Sequence, residues 1–204
     1  MTRINDSRRR MSIGDYFAWE QRNPSRHEYV AGEVYAMSGA TVRHNLIALN
    51  LVRALHGPAR ARGCVVLASD VQLRAAADRV YYPDVMLVCG GARHAEHRVE
   101  QPALVAEVTS PSTRATDRRE KLEAYTRIPS LRTYLIVDQR RRHVLVYQRH
   151  EAPGEWLRHE LVEPDDVITV PGICGELPLQ AIYDGVDLQP MTVREEDEEG
   201  WGAL

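Results

Sequence analysis

Two short apolar runs in this chain each hold one carboxylate where a hydrophobic side chain would pack better: Asp84 within residues 81–88 and Glu107 within residues 103–108. Runs of that length read as strands buried on both faces. A buried carboxylate is costly unless it is paired with a cation or bound to a metal. Any fold this chain adopts must therefore bring positive charge to both strands. The spacing that follows predicts a helix over residues 114–127, and this helix carries Lys121, the only lysine in a chain with 26 Lys and Arg together. Arginine serves everywhere else, so lysine here points to a need for a compact, strongly hydrated ammonium. Asp117, Lys121 and Tyr125 fall at i, i+4 and i+8 and share one helix face.

The rest of the chain predicts an α/β domain over residues 12–187, with residues 1–11 and 190–204 as disordered tails. Residues 12–21 read as a short helix, with Ser12 and Asp15 as its capping pair. Residues 27–37 (HEYVAGEVYAM) alternate around Ala31-Gly32 and read as a hairpin. Glu28 and Glu33 flank its turn as solvent-facing residues, with Glu33 the one that could reach the carboxylate site. Residues 41–62 carry a helical apolar stripe, with His44 in the first turn, where a helix favours phosphate groups. Short strands are expected at 64–68 and 71–73, then the two carboxylate strands, then 132–138 with an antiparallel partner at 143–149. Further strands fall at 156–161 and 167–170, and a short helix at 177–183.

The loop joining the carboxylate strands predicts an antiparallel pair. The Lys121 helix then crosses over to the strand at 132–138, which predicts one parallel pairing with a right-handed connection. The sheet is thus mixed, with a helix on each face.

Charge and cysteine content narrow the function. The net charge is −3, and residues 190–204 set Arg194 against Glu195, Glu196, Asp197, Glu198 and Glu199, so the body is near neutral. That excludes a strongly basic nucleic-acid binder but not a local basic groove. No run of about 18 apolar residues predicts a membrane span. The N-terminus lacks the apolar core of a secretory signal, and a cytoplasmic location is expected. Cys64, Cys89 and Cys174 are widely spaced and read as small buried residues, not as a disulfide frame or zinc site. His94 and His97 read as loop residues.

Asp84 and Glu107 would supply two oxygen ligands for Mg²⁺ or Mn²⁺, which is bound through one or two carboxylates with waters and substrate phosphate. Lys121 would orient the attacking water or stabilise transition-state charge. The chemistry is phosphodiester hydrolysis.

Pro83-Asp84 followed by Glu107-Val108-Thr109 resembles the PD-(D/E)XK nuclease signature. The longer pattern, EVTSPST at 107–113 with Asp117, Lys121, Tyr125 and YLIVD at 134–138, is similar to the Uma-two family of restriction-endonuclease-like proteins, as are the hairpin residues and His44. The resemblance implies the restriction-endonuclease-like fold, a central mixed sheet flanked by helices with an N-terminal helix and hairpin, and a homodimer acting on DNA. It places Thr109 where the signature has lysine, and Lys121 as that lysine moved to the following helix. Glu33, His44, Thr109 and Asp117 are supporting candidates, and Arg114, Arg118 and Arg119, with Arg140–Arg142, a basic rim for nucleic acid. Two other functions fit the same residues: a catalytically inactive nuclease-fold protein that binds nucleic acid or assembles with partners, and a metal-dependent hydrolase of small phosphoesters.

Overall fold

The computed structural model describes residues 2–3, 10–37, 39–90, 97–110, 114–152, 154–171 and 174–188. The first part of the chain builds one six-stranded sheet. Its strands are β1 (Thr2–Arg3), β2 (His27–Val30), β3 (Glu33–Ala36), β5 (Gln72–Ala76), β6 (Arg79–Tyr81) and β8 (Arg98–Val99), in the order β1-β3-β2-β6-β5-β8. A second sheet takes β4 (Val65–Ala68), β7 (Val85–Val88), β9 (Leu104–Thr109), β10 (Thr133–Asp138), β11 (Val144–Arg149) and β12 (Trp156–Leu161), in the order β12-β11-β10-β9-β7-β4. A two-stranded ribbon of β13 (Val167–Val170) and β14 (Cys174–Pro178) completes the strands.

Within the second sheet β7 runs antiparallel to β9 and β9 parallel to β10, as the loop lengths and the helical crossover require. Every residue of β7, β9 and β10 is buried, so their near-continuous apolar character reflects cover on both faces. One face carries α2 (Val42–Ala61), whose Ile47, Leu51 and Leu55 pack on Val85, Leu104, Leu135 and Val137, with the short α5 (Leu179–Ile182) alongside. The other face carries α3 (Arg114–Thr116), a π-helical turn (Asp117–Lys121) and α4 (Leu122–Thr126) in direct succession. On that side Ala124 and Tyr125 pack with Leu73, Tyr81 and Val99 of the first sheet, so the two sheets share a core. Finally α1 (Ile13–Glu20) covers the first sheet's far side, with Tyr16 against Tyr29, Val34 and Val80. Ser12 caps it through the Asp15 N–H, as its sequence suggests.

Several expectations change. Residues 81–88 are not one strand: β6 ends at Tyr81 in the first sheet, β7 begins at Val85 in the second, and Tyr82-Pro83-Asp84 crosses between them. Pro83 has no N–H to give a ladder, which suits this break. Thr2 and Arg3 pair with Ala36 and Tyr35, and the Met11 N–H donates to the Gly32 carbonyl, where disorder was expected. Residues 174–178 form a strand ahead of the short final helix. The expectations for residues 4–9, 111–113 and 190–204, and for His94, lie outside the described residues.

The cysteine reading is overturned for two residues: Cys64 and Cys89 form a disulfide across the ends of β4 and β7, with Cα atoms 4.2 Å apart. They are 25 residues apart in sequence. Only the antiparallel register that sets Val65 opposite Val88 brings them together. Closing a loop of this size removes denatured-chain entropy worth about 2–4 kcal/mol. Urea unfolding with and without reductant is expected to show a loss of that size in the wild type and none in Cys64→Ser/Cys89→Ser. An unchanged midpoint in the reduced wild type would refute it.

Candidate active site

Register places the two carboxylates side by side. Val85 pairs with Ala106, so Asp84 stands at the mouth of β7 next to Glu107 on β9. Asp84 Oδ2 accepts the Val108 N–H at 2.7 Å, continuing the ladder with a side chain where β7 has ended. The same oxygen lies 3.1 Å from His44 Nε2. His44 is held by the start of α2: Thr41 caps the helix by accepting the His44 N–H, and its hydroxyl donates to Gln139 Oε1. Gln139 in turn donates to the Thr109 carbonyl at 3.1 Å, tying the helix terminus to the end of β9.

Glu107 uses one oxygen, Oε1, for two partners: Lys121 Nζ at 3.1 Å and the Tyr125 hydroxyl, which donates at 2.7 Å. The Lys121 ammonium also lies 3.0 Å from Glu28 Oε1 and 3.4 Å from Asp117 Oδ1. Glu28, Glu107, Asp117 and Lys121 are each at most 5% exposed. The Asp117–Lys121 pair is thus part of the interior rather than an exposed i,i+4 pair. The π-helical turn that spans these two residues widens the helix by one residue per turn, a device found disproportionately at functional sites.

Burial pushes the Glu107 carboxyl well above the usual carboxylate range; Lys121 pulls it down, and the charges of Asp117, Asp84 and Glu28 push it further up. Glu28 is raised for the same leading reason, with Lys121 opposing. Burial works to lower Lys121, but Glu107, Glu28 and Asp117 outweigh it and hold the ammonium well above the ordinary lysine value. For His44, burial disfavours the charged ring, and the hydrogen bond and charge of Asp84 more than offset it, leaving the pKa raised. Tyr125 stays a neutral donor, because burial and Glu107 raise its pKa.

Four carboxylates therefore surround one ammonium and one histidine. The surplus negative charge calls for protons or a cation. Among the described residues Asp84 and Glu107 each engage the protein through a single oxygen, leaving a second for another ligand, and Glu28 Oε2 is buried without a hydrogen-bond partner. Among them, too, no three His, Cys, Asp or Glu side chains converge as a complete protein cage. Two hard carboxylate donors beside an electronegative surplus fit Mg²⁺ or Mn²⁺, which keep several waters, better than a metal needing an all-protein shell.

The other candidates fall elsewhere. The hairpin contributes Glu28, not Glu33, to the lysine; the Tyr35 hydroxyl donates to Glu33 Oε2 at 2.6 Å. Thr109 is buried, its hydroxyl 3.5 Å from the Val137 carbonyl on β10. Arg119 is exposed on the outside of the π turn and Arg118 is half-buried, while the Arg114 side chain is outside the described residues. Arg141 Nε lies 3.4 Å from Asp138, so this part of the expected rim is engaged by a carboxylate. Glu28 and Gln139 escaped the sequence reading. Glu28 sits in a strand whose alternation looks like that of a surface hairpin, and only the stacking of the second sheet makes its face internal.

Comparison with known proteins bears on the family and the fold. The model of the Uma2 family, described as "Putative restriction endonuclease", matches residues 13–180. An uncharacterized protein of Synechocystis sp. is 33% identical over 129 residues, covering 62% of this chain and 68% of the relative. A second from the same organism is 31% identical over 130 residues, covering 62% and 73%. A crystal structure from Anabaena variabilis, described as "a putative nuclease belonging to DUF820", superimposes with a TM-score of 0.70 at 14% identity. The match covers 85% of this chain and 97% of that one, which shows a shared fold.

Proposed function

This chain belongs to the Uma2 family, and we propose that it is a metal-dependent endonuclease that hydrolyses phosphodiester bonds in DNA. The observation that carries the reading is the buried Lys121 ammonium, 3.1 Å from Glu107, beside an Asp84 fixed to the same strand through Val108. Asp84 and Glu107 would hold Mg²⁺ or Mn²⁺. When bound, the cation neutralises charge on the scissile phosphate and makes water a better nucleophile.

The chain's own groups have distinct tasks. Lys121 is held protonated by three carboxylates, so it offers N–H bonds but takes no proton from water. Its task is to orient the attacking oxygen and to stabilise the charge that builds on phosphorus-bound oxygens. Glu28, Asp117 and Tyr125 keep the ammonium and the Glu107 carboxylate in one geometry, the pre-organisation on which rate depends. His44 balances the charge of Asp84. Exposed Arg119 would meet the phosphate backbone. A homodimer that cuts both strands completes the proposal. No described helix is long and apolar enough to cross a membrane.

The test is calorimetric titration of Mn²⁺ and Mg²⁺ into wild type and Asp84→Ala, with DNA cleavage followed in parallel. Metal binding and cleavage by the wild type, both lost in the variant, are the expected result. A folded wild type that binds no metal with or without DNA would replace this reading with that of a catalytically inactive nuclease fold.

A further inference from the structure

A pocket of about 350 Å³ opens on the α1 side of the first sheet, lined by Phe17, Gln21, Gln72, Tyr82 and Arg98, with Arg26 and Asp70 at its rim. Its volume falls in the range of small-ligand sites. Two covalent and hydrogen-bonded routes join it to the carboxylate centre. Tyr82 precedes Asp84 by two residues, a span of at most about 7 Å. On the other flank the Ser69 N–H donates to the Asp84 carbonyl at 3.2 Å, and Ser69 and Asp70 hold φ of 33° and 60°, a left-handed conformation uncommon for non-glycine residues.

The charges in the pocket wall are mostly spent. Glu20 accepts from the His27 N–H, the Tyr82 hydroxyl and, through its second oxygen, pairs with His27 Nδ1, at 2.8–2.9 Å. Arg26 pairs with Asp70 at 3.5 Å. Gln72 Nε2 donates to the Tyr82 hydroxyl at 2.8 Å, which leaves the Gln72 amide oxygen as an acceptor. Arg98 differs. Its guanidinium lies 3.6 Å over the Phe17 ring, no carboxylate pairs with it among the described residues, and its Nε is buried without a hydrogen-bond partner. The wall thus offers a planar cation backed by an aromatic ring, unused N–H donors and an amide acceptor, with little surplus charge. A phosphate would ask for more positive charge than this. A heteroaromatic ring with mixed donors and acceptors along its edge matches it, because bases stack on guanidinium planes and are read by amide and guanidinium groups.

We propose that this pocket receives one unpaired nucleobase of the substrate strand, adjacent to the scissile phosphate, and that Arg98 and Gln72 set the base preference there. The proposal rests on the nuclease reading. Its test uses single-stranded DNA carrying 2-aminopurine at one position at a time around the cut, with base-by-base substitution at the same positions. Wild type is compared with Arg98→Ala, Arg98→Lys and, as a control outside the pocket, the exposed α5 variant Gln180→Ala. Tm and Mn²⁺ affinity are measured for each.

The expected result is a fluorescence response confined to one position beside the cut, and a preference among the four bases there that falls about tenfold or more in both Arg98 variants. Their Tm and Mn²⁺ binding stay at wild-type values. Equal weakening on every sequence would make Arg98 a phosphate contact and overturn the base pocket. So would cleavage with unchanged base preference in both variants. A wild type that neither binds nor cuts DNA would overturn the nuclease reading itself, and the base pocket with it; active cleavage with an indifferent pocket overturns only the latter.

Discussion

Lys121→Met is expected to unfold at a markedly lower urea concentration than the wild type at pH 7 and to cut DNA at least about a hundredfold more slowly. The substitution keeps an unbranched chain of similar length, so the space is filled and the charge alone is lost. Glu28, Glu107 and Asp117 then face one another in the interior with no counter-charge. Removing one partner from a buried ion cluster costs about 3–5 kcal/mol, because the groups left behind stay desolvated. Loss of a pre-organised donor at the reacting phosphate lowers cleavage by about 10²–10³-fold or more. Lys121→Arg restores charge but not function, since a forked guanidinium cannot take the place of a compact ammonium among three carboxylates. Urea midpoints and single-turnover cleavage check both parts. A Lys121→Met protein within twofold of wild-type activity would remove the lysine from the reaction.

The second large effect is a pH-dependent stability that divalent metal suppresses. Glu107 and Glu28 have folded-state pKa values raised above the ordinary carboxylate value of 4.5. The folded protein therefore binds more protons than the unfolded chain across the window from 4.5 up to the raised values. Stability is fully present below 4.5 and declines as pH rises through that window. His44, raised above 6.5, adds a contribution of the same sign, present below 6.5 and lost as pH climbs through its folded value. Lys121, raised above 10.5, contributes fully throughout and adds no slope there. A cation at the site replaces the missing protons. At a free concentration a hundredfold above its Kd it adds about 2.7 kcal/mol, and most of that gain appears at the high-pH end where protons no longer compete. Urea titrations from pH 5 to pH 8, in EDTA and in Mg²⁺, should give a falling line and a flatter one. In Glu107→Gln the slope and the metal effect should both shrink. Parallel lines with and without Mg²⁺ would place the cation elsewhere.

What the sequence made legible is the set of residues whose type conflicts with their neighbourhood. Asp84 and Glu107 break apolar runs, and Lys121 breaks a pattern of arginine usage. Such conflicts can be seen one position at a time. The strand pairings around them followed from loop length and from the handedness of a helical crossover. Glu28 carried no such conflict, because its strand alternates as a surface hairpin does. Its burial comes from the packing of one sheet against another, which no local pattern encodes. The Cys64–Cys89 bond was hidden for a related reason: the pairing of β4 with β7 skips over two intervening strands of the other sheet. Pro83 was visible, but its meaning was not. A proline beside an aspartate reads as a motif, and here it also marks the point where the chain leaves one sheet for the other.

The three carboxylates around the Lys121 ammonium come from three places: a hairpin near the start of the chain, a central strand, and the π turn that carries the lysine itself. None of these pieces holds a working constellation alone, and the contact between Glu28 and Lys121 joins the early hairpin to a helix in the second half of the chain. Such a contact requires closure of the long intervening segment, whose entropy must be offset first. On the proposed function, this would be a safeguard of timing: a chain still emerging from the ribosome or partly unfolded by heat would have no assembled site, and cleavage would itself report that the whole domain has closed.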